Sequence, residues 1–66
     1  MKNLIINGLS INDTKFEELN NFIDELNKND ATDCLFEIYK HLPYINTISK
    51  EEYSKLLTKL IYYLGL

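Results

Sequence analysis

Apolar residues recur along the last third of the chain with the step of a helix. Ser49 to Leu64 reads SKEEYSKLLTKLIYYL. At about 100° per residue, Tyr53, Leu56, Leu57, Leu60, Ile61, Tyr63 and Leu64 share one side. Glu51, Ser54, Lys55, Thr58, Lys59 and Tyr62 share the other, so Tyr62 is an aromatic on a wet face. The stretch predicts a C-terminal helix that forms the spine of a small core. Ser49 and Glu52 stand in the S-x-x-E spacing of a capping box, in which each side chain bonds the other's backbone amide. Gly65 follows the last periodic residue, where a left-handed cap is favoured.

The same period appears twice more. From about Lys15 to Lys28, Phe16, Leu19, Phe22, Ile23 and Leu26 fill one stripe. Glu17, Glu18, Asn20, Asn21, Asp24, Glu25 and Lys28 lie opposite. Thr14 and Glu17 repeat the capping-box spacing, with Asp13 as a competing cap. A further helix is expected from about Ala31 to His41, capped by Asp30 or Asn29. Its buried side is Ala31, Cys34, Leu35, Ile38 and Leu42, with Tyr39 on the flank and Phe36 outward near Lys40. Pro43 stops it, because the residue before a proline is pushed from helical angles. Tyr44, Ile45 and Ile48 peg the loop that follows.

The pattern changes before Asp13. Asn7-Gly8 between two short β-favouring runs signals a type I′ hairpin. Its strands would be Asn3–Ile6 and Leu9–Ile11. They are too short to stand alone, so they must lie on the helices or pair across a subunit boundary. An extended arm packed by Leu4, Ile6 and Leu9 is the alternative. The expected fold is therefore mainly α, one domain over residues 1–66: a compact three-helix bundle with a short N-terminal β-hairpin or extended arm. The expected core is Leu4, Ile6, Phe16, Leu19, Ile23, Leu26, Cys34, Leu35, Ile38, Leu42, Tyr53, Leu56, Leu57, Leu60 and Ile61.

Size sharpens this picture. A chain of 66 residues buries only about 60% of the surface its unfolded form exposes. Small domains are commonly stapled by disulfides, metals or oligomerisation. With one cysteine there is no internal disulfide, and no metal-ligand cluster is visible. Self-association, as a homodimer, is the remaining staple. A free cysteine without a secretion signal suits a reducing cytoplasm. No apolar run approaches the about 20 residues of a membrane span.

Net charge is −3, and every cation is lysine. Arginine supplies the bidentate fork for phosphates and guanine edges, and lysine does not replace it. The strand–helix–helix order invites comparison with ribbon-helix-helix DNA binders, but the candidate strand offers only Lys2 and Asn3 ahead of apolar residues. Lys50, Lys55 and Lys59 make a thin basic strip beside Glu51 and Glu52. A small DNA-binding or transcription-accessory protein is thus the second reading. Valine, glutamine and tryptophan are missing while Asn, Ile, Lys and Leu abound, as an AT-rich genome would encode.

Catalytic constellations fail on geometry. Cys34 and His41 share a helix face but stand two turns apart, about 10 Å, where a thiolate–imidazole pair needs about 3 Å. Glu37 and His41, with Asp33 nearby, offer one imidazole where zinc sites want more histidine or cysteine. Asn27–Glu37 lacks the glycine and acidic alternation of a calcium loop. Two distant glycines make no phosphate loop. The expectation is a non-enzymatic protein-binding module without cofactor or metal. Its concrete form is a phage- or mobile-element-encoded inhibitor or adaptor that occupies a partner surface. The candidate partner-binding residues are the outward aromatics and their lysines: Phe36, Tyr39, Lys40, Tyr44, Tyr62, Lys55 and Lys59. The acidic face of the first helix, Glu17, Glu18, Asp24 and Glu25, is the next candidate, read first as a solvated face.

Overall fold

The computed structural model describes residues 4–6 and 8–66. Among these, two short strands precede three α-helices: β1 (Ile5–Ile6), β2 (Leu9–Ser10), α1 (Phe16–Lys28), α2 (Thr32–His41) and α3 (Lys50–Leu64). One 3-10 turn (Ile11–Asp13) leads into α1, and another (Leu42–Tyr44) ends α2. The mainly helical bundle with an N-terminal hairpin expected from the pattern is what forms.

β1 and β2 pair antiparallel, Ile5 with Ser10 and Ile6 with Leu9. Gly8 has φ +86°, the left-handed backbone that a tight hairpin turn requires. Asn3 and Asn7 of the expected hairpin lie outside the described residues. The ladder extends one bond further, from the Ile11 amide to the Leu4 carbonyl at 2.8 Å. Leu4, Ile6 and Leu9 pack on the helices. That packing stabilises strands too short to persist in water.

Helix ends follow local chemistry, with two departures from expectation. α3 begins as read: the Glu52 amide donates to Ser49 Oγ at 3.2 Å, and the Ser49 amide to Glu52 Oε1 at 3.0 Å. It ends on Gly65 at φ +74°, whose amide reaches the Tyr62 carbonyl while that of Leu66 reaches Ile61. These two bonds form a Schellman cap. α1 departs at its start. No side chain caps it, and Lys15 holds the N-cap position. Thr14 is drawn inward instead: its hydroxyl donates to the Ser10 carbonyl, and its own carbonyl accepts from the Thr47 hydroxyl. A buried hydroxyl must be paired, and the nearby carbonyl wins over the cap.

The α1–α2 connection is the second departure. Asp30 does not cap α2, whose N-cap position is Ala31 and carries no side-chain bond. Asp30 lies at φ +54° and closes α1, its amide on the Asn27 carbonyl and that of Ala31 on Leu26. The pattern is a Schellman cap with aspartate where glycine is usual. At Pro43 the stop is where expected but not by the expected route. Leu42 keeps helical angles, φ −53° and ψ −41°. The missing proline N–H breaks the α ladder, and the chain tightens into a 3-10 turn.

The core is Ile11, Leu19, Ile23, Leu26, Leu35, Ile38, Leu42, Ile45, Leu56 and Leu60. Among the described residues, Thr14 is the one buried polar residue, 1% exposed. Ile11 and Ile45 were not in the expected core; each sits where irregular chain turns inward. Leu4, Ile6, Phe16, Cys34, Tyr53 and Leu57, expected inside, are partly buried and packed around the core. Ile61 is likewise only partly buried. The three helices contact one another pairwise within 27 × 25 × 18 Å, so three apolar stripes meet in one centre.

Candidate functional site

The outward residues of α2 form one cluster. An apolar stripe fixes the phase of α2, with Leu35 and Ile38 buried. Phe36 must then point out, and it is 45% exposed. Tyr39, one turn on, lays its ring nearly parallel to that of Phe36, with centroids 6.3 Å apart and planes at 12°. Lys40 holds its ammonium 5.7 Å from the Phe36 centroid, on the cation-attracting face of the ring. Glu37 steadies that lysine at 3.6 Å and lies 3.8 Å from His41 Nε2. The Glu37–His41 spacing noted in the sequence is thus a surface charge pair when the imidazole is protonated.

Tyr44 ends the 3-10 turn that follows α2 and is 58% exposed. Its chain neighbours Pro43 and Ile45 line a groove of about 360 Å³, walled also by Leu42, Ile48, Lys50 and Tyr53. The groove lies between the end of α2 and the start of α3. It is apolar along most of its wall, with Lys50 as its charged member. Its volume is near the lower bound of ligand pockets, room for one or two large side chains.

Tyr62 belongs to a second cluster, on α3. It is 80% exposed and meets Tyr63 edge-on, centroids 5.8 Å apart. Lys55 is exposed on the same helix. Lys59 is placed differently from its reading as a wet-face residue. It turns toward α1, 2.7 Å from Asp24 Oδ1, and donates to Asn20 Oδ1 as well. Tyr63 donates its hydroxyl to the same Asp24 oxygen at 2.9 Å. The hydrogen bond from Lys59 holds the Asp24 carboxyl below its ordinary range, and that from Tyr63 adds to it. In return Asp24 pushes the Tyr63 hydroxyl up.

The seven candidate residues therefore divide. Phe36, Tyr39, Lys40 and Tyr44 follow one another along α2 and its 3-10 extension. Tyr62 and Lys55 stand on α3, and Lys59 is engaged within the molecule. Sequence reasoning missed the Asn20–Asp24–Lys59–Tyr63 network. Its signal was present: polar residues four apart flank the stripe of α1, and Lys59 and Tyr63, also four apart, flank that of α3. The groove was also missed, because irregular chain builds half of it.

A second hollow, of about 630 Å³, opens between the starts of α1 and α3 and is lined in part by Glu17, Glu18 and Glu52. Glu17 and Glu18 sit in the first turn of α1, where the helix dipole favours acids, and Glu52 is committed to its cap. Among the described residues, no group of three or more His, Cys, Asp or Glu side chains is placed to hold a metal ion. Nor is any of their helices long and apolar enough to cross a membrane. No protein-family model, curated protein or solved structure matches the chain.

Proposed function

We propose that this protein is a non-enzymatic binding module that works by occupying a protein surface, with the α2 side as its contact face. The observation that carries the reading is the stacked Phe36–Tyr39 pair, in which the half-buried Tyr39 packs on the core and holds an exposed Phe36 ring. Rigid aromatics supply contact area at little entropic cost and often dominate interface energies. Lys40 and Glu37 give the patch a polar rim. Tyr44 is exposed between Pro43 and Ile45 of the groove, which would receive one apolar anchor from the partner.

The commitment of Lys59 to Asp24 supports this reading over nucleic-acid binding. It removes one of the three lysines in the strip that would meet phosphates. In its concrete form the module is an inhibitor or adaptor carried by a phage or mobile element, acting in the cytoplasm as a homodimer. That version rests on small size and AT-type composition.

The experiment is a quantitative capture from the source cell with wild type, Phe36→Ala and Tyr62→Ala as baits. A protein retained by wild type and Tyr62→Ala but lost with Phe36→Ala, while all three melt alike, supports the α2 face. Equal capture by all three baits rejects it.

A further inference from the structure

The two edges of the hairpin differ. In an antiparallel pair, hydrogen-bonded and non-hydrogen-bonded residue pairs alternate. The Ile11 amide donates to the Leu4 carbonyl, so Leu4·Ile11 is a bonded pair and Ile5·Ser10 is not. The backbone N–H and C=O of Ile5 and of Ser10 therefore point away from the hairpin, each toward its own outer edge. On the β2 edge the Ser10 carbonyl is taken by the Thr14 hydroxyl, and the chain turns at once into the 3-10 segment. On the β1 edge, among the described residues, no backbone hydrogen bond reaches Ile5 from outside the hairpin. Its side chain is apolar and 64% exposed.

Proteins commonly guard such an edge by keeping the strand short, as β1 is, and also with lysine, proline or an inward charge. Here no charged residue and no proline stands between Lys2 and Asp13, although about a quarter of the chain is charged. We propose that the β1 edge pairs with the same edge of a second copy of this chain, antiparallel and about a two-fold axis, Ile5 against the partner's Ile5.

The edge is self-complementary in that register. Ile5 and its copy exchange two backbone hydrogen bonds, the pairing an isologous contact requires. Leu4 falls opposite the partner's Ile6, and Ile6 opposite the partner's Leu4. Both side chains pack on the helical core of their own subunit. Their pairing joins the two cores along one face, and the two Ile5 side chains cover each other on the other face. No charge meets a like charge in this pairing. Two hairpins become one four-stranded sheet with an apolar face, the strand number that an isolated two-stranded hairpin lacks. The inference names the surface for the self-association part of the proposed function and leaves the α2 face free for a different partner.

The test is sedimentation equilibrium of the full chain across a wide concentration range, with Ile5→Pro and Ile5→Lys. Proline removes an outward N–H without touching the ladder inside the hairpin; lysine adds a like-charge pair at the axis. Wild type should dimerise, each variant should raise the dissociation constant about tenfold or more, and Phe36→Ala should not. Isotope-filtered NMR of mixed labelled and unlabelled wild type should show contacts between Ile5 and the partner's Ile5. Should Ile5→Pro fail to fold, the lysine variant decides. A wild-type chain that stays monomeric overturns both this pairing and self-association. A dimer unchanged by a folded Ile5 variant overturns the pairing alone.

Discussion

Lys59 on α3 stands 2.7 Å from Asp24 on α1, and this pair ties together two helices 35 positions apart in sequence. Tyr63, one turn beyond Lys59, closes on the same carboxylate oxygen. Both side chains of the ion pair remain partly open to water, so its coupling is modest. A double-mutant cycle with Asp24→Asn and Lys59→Met should give about 0.5–1 kcal/mol. A value near zero would show that the contact is incidental.

The same network sets a pH dependence. Asp24 binds its proton less readily folded than unfolded, because Lys59 donates to the carboxylate. Its stabilisation is full above the ordinary carboxylate value of 3.8 and is lost as pH falls through the lower folded value. Tyr63 works in the opposite sense. Its value is raised above 10.0, so its contribution is full below that pH and is lost as pH rises through the folded value. Melting curves should therefore weaken at both extremes. Asp24→Asn should make the acid loss shallower; an unaltered acid limb would assign it to other carboxylates.

Caps give a pair of predictions with opposite signs. Ser49→Ala removes one half of the capping box and should cost about 1 kcal/mol. In a domain of this size that is roughly 4–8 °C of melting temperature. Asp30→Gly should do the reverse, since Asp30 holds a left-handed backbone that glycine adopts freely. The gain should be about 0.5 kcal/mol after the extra entropy of an unfolded glycine. An unchanged melt for Ser49→Ala, or a lower one for Asp30→Gly, would contradict the cap assignments.

Thr14 should behave as an interior residue. Thr14→Val removes the donor to the part-buried Ser10 carbonyl, at a cost of about 1 kcal/mol. Thr14→Ser should keep most of the stability. If valine is as stable as threonine, the hydroxyl bond contributes nothing.

The helices were legible because their stripes are long and regular: Leu19, Ile23 and Leu26, or Leu56 and Leu60, can be buried together in only one helical phase. The Ser49 cap was legible because both partners are local. Thr14 was not, although its spacing to Glu17 is the same. A long-range partner, Thr47, and a carbonyl four residues back competed with the cap, and no local pattern encodes either. Ile11 and Ile45 escaped for the same reason: burial at irregular chain depends on where the chain returns. Of the candidate surface, the outward aim of Phe36 and Tyr62 follows from phase alone. The stacking of Tyr39, the groove beside Tyr44 and the inward turn of Lys59 depend on neighbouring elements.

In the proposed function a partner protein binds over the stacked Phe36 and Tyr39. Titration calorimetry of the captured partner against wild type, Phe36→Ala and Tyr62→Ala, beside the melt of each, separates this face from the rest of the surface. Phe36→Ala should weaken binding by about 2 kcal/mol, as interface anchors do, with little change in its melt. Tyr62→Ala should bind nearly as wild type. Undiminished affinity of a folded Phe36→Ala variant would contradict the claim and move the contact face elsewhere on the molecule.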